Sequence, residues 1–106
     1  MADDNVLEAI EIAKATGKIR KGSNEVTKAL EKQQAKLVAY AKDVEPKEIV
    51  MHLPLLCKEK GVACFGIATK EELGAAAGID VGSSAVAIVE PGEAKQLIEK
   101  LSQKEE

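Results

Sequence analysis

Three short, almost wholly apolar runs alternate with segments of helical periodicity, and this alternation limits the folds open to the chain more than any other feature. The runs occupy residues 37–41, 62–68 and 85–89. Short apolar runs bounded by polar or turn residues are typical of strands buried on both faces. Such strands, interleaved with helices, predict an α/β sandwich with helices on both faces of a small sheet.

Helix boundaries can be placed from capping residues and breakers. Residues 6–13 repeat apolar side chains at helical spacing. We expect either Asp3 or Asp4 to cap this first helix and Gly17 to end it. Residues 69–72 have the pattern of a capping box, which opens a short helix.

Two prolines define the middle of the chain. Pro46 opens a helix there, because the N–H that proline lacks has no partner in a first helical turn. Pro54 follows too soon for one uninterrupted helix. We therefore expect a break or kink near residues 52–53, followed by a helix that Gly61 ends.

Length and composition indicate one domain over residues 1–106. No apolar run is long enough to span a bilayer, and the acidic start of the chain is the opposite of a secretory leader. Cys57 and Cys64 are too few for a disulfide framework or a four-thiolate zinc site. These features favour the reducing cytoplasm.

The net charge is −3, but the charges are unevenly distributed. Residues 14–36 carry a net charge of +5, and the rest of the chain carries −8. This asymmetry suggests a local site for a polyanion on an otherwise acidic body. On charge alone, a solvated lysine-rich helix explains it equally well. The charged residues of the segment are Lys14, Lys18, Arg20, Lys21, Glu25, Lys28, Glu31, Lys32 and Lys36.

The centre of this segment predicts a strand over residues 18–20, a tight bend and a helix over residues 24–33. Gly22 permits the bend, where a side chain would clash. Either Ser23 or Asn24 then caps the helix by accepting a hydrogen bond from a backbone N–H. The unpaired N–H groups and the positive end of the helix dipole make this a suitable place for a phosphate.

One face of the predicted helix is polar. Asn24 and Lys28 are four residues apart and share that face, with Glu25 beside them. Arg20 and Lys21 come just before the bend. The outward face therefore combines cations, an amide and one carboxylate at the mouth of an anion site.

Enzyme chemistry has little support in the sequence. His52, the single histidine, lies beside apolar residues and a proline, which favours a structural role. The two cysteines are expected to pack as small hydrophobic residues, and residues 61–66 lack the lysine of a phosphate-binding loop. We expect no catalytic residue, no metal and no cofactor.

RNA binding by base stacking is also disfavoured, because single-strand binders of that kind need surface aromatic side chains. Tyr40 and Phe65 are the only aromatic residues. Recognition of RNA by this chain would therefore depend on shape, phosphates and a few exposed base edges.

The stretch Arg20–Lys28, with the sequence RKGSNEVTK, resembles the nucleic-acid-binding motif of the kink-turn-binding ribosomal protein superfamily. Residues 45–49 and 52–57 are similar to the middle of that family, and the resemblance extends from about Val6 to Leu101. It is strongest to archaeal members that serve both in the large ribosomal subunit and as core proteins of guide-RNA particles. The family's fold, a three-layer α-β-α sandwich, agrees with the pattern above, and we expect a small four-stranded mixed sheet.

The resemblance implies that the ligand is a kink-turn, an RNA bend built on tandem sheared G·A pairs and a flipped-out nucleotide. Sheared pairing exposes guanine donors, and a carboxylate can accept from two of them; by resemblance this carboxylate is Glu25. Residue types alone favour a capping role for Asn24 and dipole compensation for Glu25, but the match of the whole motif reverses that preference. The RNA-binding residues implied in this segment are Arg20, Lys21, Gly22, Ser23, Asn24, Glu25, Lys28 and Lys32.

Two further segments are implied by resemblance. Glu45 and Ile49, at helical spacing, would form the pocket for the flipped nucleotide, although first-turn charge and core packing explain the same residues. Residues 78–84 match a second RNA-contacting loop, in which Ile79, Asp80, Val81 and Gly82 are the implied contacts. Some relatives have an arginine where this chain has Val81, so this loop would cover unstacked bases without contacting phosphate.

The implied partners are structured RNAs with kink-turns, namely ribosomal RNA and box C/D and H/ACA guide RNA, and in addition the RNA of a tRNA-processing ribonuclease. The resemblance also implies other ribonucleoprotein subunits as partners, and it implies no association with a membrane. Two alternatives stay open: a relative in translation or RNA processing with a different RNA target, and a small acidic α/β enzyme or protein-interaction adaptor without RNA binding.

Overall fold

The computed structural model describes residues 2–43, 48–79 and 82–104. In these ranges, helices and strands alternate along the chain, as the apolar runs predict. A single 3-10 turn, Gly92–Ala94, precedes the last helix. The elements are α1 (Ala2–Thr16), β1 (Lys18–Lys21), α2 (Ser23–Glu31), β2 (Leu37–Ala41), α3 (Glu48–Lys60), β3 (Ala63–Ile67), α4 (Lys70–Ala76), β4 (Ala85–Glu90) and α5 (Lys95–Lys104).

The four strands form one mixed sheet in the order β1-β4-β2-β3. β4 is antiparallel to both of its neighbours, and β2 and β3 are parallel. The carboxyl ends of β1, β2 and β3 therefore lie at the same end of the sheet as the amino end of β4. This arrangement brings the loops after β1 and β2 close to the loop before β4.

One face of the sheet is covered by α1, α4 and α5. Leu37, Ala39 and Ala41 of β2 point to this face, because alternate side chains of a strand lie on one side. Val86 and Ile88 of β4 join them. The helices, with the C-cap residue of α4, contribute Val6, Ala9, Ile10, Ala13, Leu73, Ala76, Ala77 and Ile98.

The other face is covered by α2 and α3. Val38 of β2 and Ala85 and Ala87 of β4 lie in this second cluster. The helices contribute Val26, Ala29, Leu30, Leu53 and Cys57. Two separate apolar clusters on opposite faces of one sheet make the fold a three-layer α-β-α sandwich, which confirms the predicted fold class.

Two of the expected boundaries are wrong. α1 begins at Ala2, so Asp3 and Asp4 lie inside its first turn rather than at its cap. α3 runs without interruption from Glu48 to Lys60 with Pro54 inside it. Leu53 and Cys57 are almost fully buried on either side of the proline, and this packing outweighs the backbone hydrogen bond that proline removes, a loss of about 3 kcal/mol in a free helix.

Neither aromatic side chain is presented as a stacking platform. Phe65 packs against the first apolar cluster and Tyr40 against the second. Burial raises the pKa of the Tyr40 phenol, and the nearby Cys64 and Cys57 thiols raise it further. Within the described ranges, no helix has both the length and the apolar character needed to cross a bilayer.

Candidate nucleic-acid interface

Gly22 forms the bend between β1 and α2 and is itself the N-cap of the helix. Its backbone angles are φ 93° and ψ 147°, a conformation that residues with a side chain rarely adopt. No side chain caps α2, so the expectation that Ser23 or Asn24 does so is wrong. The helix begins at Ser23, one residue earlier than expected, which places both residues inside the first helical turn. The N-terminus of α2, the positive end of its helix dipole, therefore has backbone N–H groups that are not hydrogen-bonded to a capping side chain.

A polar stripe of Asn24, Glu25 and Lys28 lies along the exposed side of α2. All three residues are exposed, whereas Val26, Ala29 and Leu30 on the opposite side are buried. The 3.6-residue period of the helix produces this separation. Asn24 and Glu25 therefore face solvent, which RNA recognition requires of them.

Glu25 has a partner on its own helix. Its Oε2 lies 3.9 Å from Lys28 Nζ, and the two side chains are 54% and 65% exposed. Exposed ion pairs of this kind contribute about 0–1 kcal/mol. A ligand with well-placed donors can therefore displace the lysine from the carboxylate at little energetic cost.

The remaining cations of the motif surround the polar stripe. Arg20 and Lys21 are exposed in β1 immediately before the bend, and Lys32 is exposed at the C-cap of α2. Ser23 is half-buried at the start of α2. The eight sequence-predicted residues of this segment therefore lie in β1, at the Gly22 bend and along α2 as far as its C-cap, and six of them are exposed.

The polar stripe is attached to α3 through Thr27 and His52. Thr27 Oγ1 donates its proton to the Ser23 carbonyl oxygen at 2.7 Å. Since a hydroxyl has one proton, Thr27 must accept the hydrogen bond from His52 Nε2 at 2.8 Å. This contact requires an N–H at Nε2 of His52 and links α3 to α2, a role that sequence reasoning did not assign to Thr27.

The loop before β4 is joined directly to the bend. The Gly22 N–H donates to the Ala85 carbonyl oxygen at 2.8 Å, and the buried Ser83 hydroxyl donates to the same oxygen at 2.9 Å. The Ala41 N–H donates to the Ser84 carbonyl oxygen, also at 2.8 Å. These bonds hold the end of β2, the loop before β4 and the Gly22 bend side by side.

A second set of bonds ties the segment after β2 into the same region. Lys70 N–H donates to Asp43 Oδ1 at 2.8 Å, and Ser83 N–H donates to the Lys70 carbonyl oxygen at 3.0 Å. A Cβ added to Gly82 would lie 2.6 Å from Lys70 Cγ, so this loop packs closely on the start of α4. Sequence reasoning gave neither Asp43 nor Ser83 a role of its own. Asp43 lies two residues before Glu45, and Ser83 lies inside the loop of residues 78–84, which was the only signal available.

The other predicted contacts are only partly described. Glu45, Asp80 and Val81 lie outside the described residues. Ile49 falls in the first turn of α3, and its side chain is also outside the described part of the structure. Ile79 is half-buried against the first apolar cluster, and Gly82 is exposed. The hydrogen bonds of Asp43 and Ser83 hold the neighbours of both segments near the bend.

The same region offers little for metal chemistry. In the described ranges, no group of three or more His, Cys, Asp or Glu side chains could hold a metal ion. The functional groups that converge at the bend are backbone N–H groups, an amide, a carboxylate and ammonium or guanidinium groups. Such a set can bind phosphates and hydrogen-bond base edges.

A solved structure and a family model both match this chain. A solved structure described as "Giardia lamblia 15.5kD RNA binding protein" is 30% identical to this chain, with a TM-score of 0.91. The match covers 97% of this chain and 86% of that protein. The model of the Ribosomal protein L7Ae/L30e/S12e/Gadd45 family matches residues 4–98. Because this match spans nearly the whole chain, the protein belongs to the Ribosomal protein L7Ae/L30e/S12e/Gadd45 family.

Proposed function

We propose that this protein is a non-enzymatic RNA-binding protein that recognises and stabilises kink-turns. The observation that carries the proposal is the uncapped N-terminus of α2, with Asn24 and Glu25 exposed beside it. The family membership and the RNA-binding protein of similar structure support it. The proposed ligands are kink-turns of ribosomal RNA, of box C/D and H/ACA guide RNA, and of a tRNA-processing ribonuclease RNA in the cytoplasm.

In the proposed complex, the residues of the polar stripe have distinct roles. Glu25 accepts hydrogen bonds from guanine donors that sheared pairing exposes, and Asn24 offers both a donor and an acceptor to adjacent base edges. Lys21, Lys28 and Lys32 contact phosphate or guanine acceptors. Gly22 lets the RNA approach the backbone, because a bare Cα leaves the N–H groups accessible.

The other segments complete the proposed contact surface. Arg20 and Ser23 flank Gly22. Glu45 and Ile49 are proposed to receive the flipped nucleotide, and the loop with Ile79, Asp80, Val81 and Gly82 to cover unstacked bases. The hydrogen bonds from Gly22 to Ala85 and from Lys70 to Asp43 favour this arrangement, since they hold the neighbours of these residues close to the bend.

Energetically, the proposed function is a population shift. An RNA that exchanges between extended and bent forms is drawn into the bent form by a protein that binds only that form. The effect is limited by the difference in affinity for the two forms. Other ribonucleoprotein subunits would then assemble on an RNA whose bend is already fixed.

The test is a gel-shift titration with two RNAs of equal length. One contains tandem sheared G·A pairs, and the other has Watson–Crick pairs at those positions. We expect binding to weaken by about a hundredfold or more, since each base-edge contact is worth about 1–3 kcal/mol. End-to-end fluorescence transfer should rise on adding protein to the first RNA alone. Equal binding to both RNAs would contradict the proposal.

A further inference from the structure

A groove of about 390 Å³ lies beside β1, at the opposite end of α2 from the Gly22 bend. None of the roles proposed above uses it, apart from Arg20 at its margin. It is formed where the connection from α2 to β2 passes the edge of the sheet. Its polar lining comprises Lys18, Arg20, Gln33, Gln34, Lys36 and Glu90.

The glutamines reach the groove through an unusual backbone turn. Gln33 has φ 59°, the one positive φ of a non-glycine residue among the described residues. Gln33 N–H donates to the Leu30 carbonyl oxygen at 3.0 Å, and Gln34 N–H donates to that of Ala29 at 2.8 Å. This pair of bonds ends α2 in a Schellman motif, where glycine is the usual residue. The turn therefore presents the two glutamine amide groups at the groove. The Leu30 and Ala29 carbonyl oxygens are already occupied by the two hydrogen bonds of the turn.

The charge of the groove is mainly positive. Lys18, Arg20 and Lys36 are exposed cations, and Glu90 is the single carboxylate in the lining. Glu90 Oε2 lies 4.0 Å from Lys18 Nζ, with both side chains more than 60% exposed (62% and 68%). This pair is weak and open to solvent. The lining contains no aromatic side chain, so its chemistry suits phosphates and ribose hydroxyls rather than stacked bases.

The groove continues from the proposed kink-turn site. Arg20 lies two residues before Gly22 on β1 and lines the groove as well. The nine residues of α2 separate the two ends, a distance of about 13 Å at 1.5 Å per residue. An RNA helix of only a few base pairs spans this distance.

We propose that this groove holds the sugar-phosphate backbone of the RNA helix that flanks the kink. The inference rests on the proposed function, because it assumes that the kinked RNA is bound at the N-terminus of α2. Lys18 and Lys36 bind phosphates, and the Gln33 and Gln34 amides hydrogen-bond phosphate or ribose oxygens. Glu90 opposes this binding and limits the attraction of RNA that lacks a kink.

The test compares two double variants with the same change in charge. Lys18→Gln with Lys36→Gln should weaken binding of a kink-turn RNA with long flanking helices by about three- to tenfold at low salt. The salt slope should fall by about 0.7–0.9 for each phosphate that the variant no longer neutralises. Lys95→Gln with Lys100→Gln, on exposed positions of α5, should leave binding unchanged. The preference for sheared over Watson–Crick pairs should persist in both variants.

Two further experiments test where the RNA contacts the groove. Shortening one flanking helix so that it no longer spans the roughly 13 Å length of α2 should remove the difference between wild type and the Lys18/Lys36 variant. Glu90→Gln should strengthen binding of the long RNA, whereas Glu99→Gln on α5 should not. Wild-type affinity of the Lys18/Lys36 variant, with the preference for sheared pairs intact, overturns the groove proposal alone. Equal binding of sheared and paired RNA by wild type overturns the proposed function, and the flanking-helix assignment with it.

Discussion

Glu25 has two chemically distinct roles open to it. As a helix residue, it compensates the dipole of α2 and pairs with Lys28 at 3.9 Å, which together are worth about 1 kcal/mol or less. As an RNA contact, it accepts hydrogen bonds from guanine donors that would otherwise lose their water without replacement. Charged hydrogen bonds of that kind are worth about 1.5–3 kcal/mol. If Glu25 acts only within the helix, a substitution should change mainly the free energy of unfolding. If Glu25 contacts RNA, the substitution should change mainly the affinity for RNA.

We expect Glu25→Gln to lower affinity for kink-turn RNA by about ten- to a hundredfold, because the amide places donors where guanine donors point. Stability in urea should change by less than about 1 kcal/mol. The measurements are a gel-shift titration and a urea unfolding curve followed by circular dichroism.

The matched control is Glu31→Gln, on an exposed position in the last turn of the same helix. It makes the same change in net charge, so a general electrostatic effect would appear equally in both variants. If Glu31→Gln weakens binding as much as Glu25→Gln does, Glu25 has no specific role as an acceptor.

At the scale of secondary structure, the sequence predicted elements where one physical effect dominates. β2 and β4 could be predicted because each strand is apolar on both faces. The start of α4 could be predicted from its capping residue, since the Thr69 hydroxyl accepts a hydrogen bond from the Glu72 N–H at 3.2 Å. The predicted break near Pro54 was wrong because the local effect of proline on the backbone is outweighed by the tertiary burial of its neighbours. Tertiary burial is not encoded in a local pattern, so the continuity of α3 could not be predicted.

The bend at Gly22 is the element that places the polar stripe, and its backbone makes a clear prediction. A Cβ at Gly22 would meet nothing within 4 Å, and the same holds for Gly61, at φ 71° after α3. Substitution at either site therefore tests local backbone strain alone, and the clash expected for a side chain at Gly22 does not occur with the surrounding structure. We expect Gly22→Ala to cost about 2–3 kcal/mol and Gly61→Ala about 1–2 kcal/mol, measured by urea unfolding.

RNA affinity should separate these two glycine variants further. Alanine at Gly22 shifts the first turn of α2, so binding of kink-turn RNA should weaken at protein concentrations and temperatures where the variant is fully folded. Gly61 lies after α3 and outside the proposed interface, so Gly61→Ala should bind like wild type. An RNA affinity of Gly22→Ala equal to that of Gly61→Ala would mean that the bend does not position the polar stripe.

At the scale of the whole molecule, the sequence indicated a candidate polyanion site but not the long-range contacts that complete it. Charge identified residues 14–36 and the motif identified residues 20–28, because each is a contiguous stretch. The groove combines Lys18 and Lys36 of this segment with Glu90 of β4, which is distant along the chain, and it depends on the turn at Gln33. The links from Gly22 to Ala85 and from Lys70 to Asp43 arise from the mixed sheet, which places the connections after β1, β2 and β3 and the one before β4 at the same end.

Charge distribution over the whole molecule predicts a moderate salt dependence. The acidic remainder of the chain, at −8, repels RNA, so only the cations of the basic segment contribute favourable phosphate contacts. With about three to five such contacts, log affinity should fall with log salt with a slope of about −2 to −4. Between about 50 and 200 mM KCl, affinity for the kink-turn RNA should thus fall by roughly 15- to 250-fold.

The preference for sheared over Watson–Crick pairs should change much less over the same range, because base-edge hydrogen bonds release few counterions. Gel-shift titrations of both RNAs at four salt concentrations measure the two quantities together. A preference that vanishes with salt in parallel with affinity would show that phosphate attraction, rather than the carboxylate and amide of the polar stripe, selects the RNA. That outcome would leave the basic segment as a general polyanion site and remove the basis for shape-selective recognition.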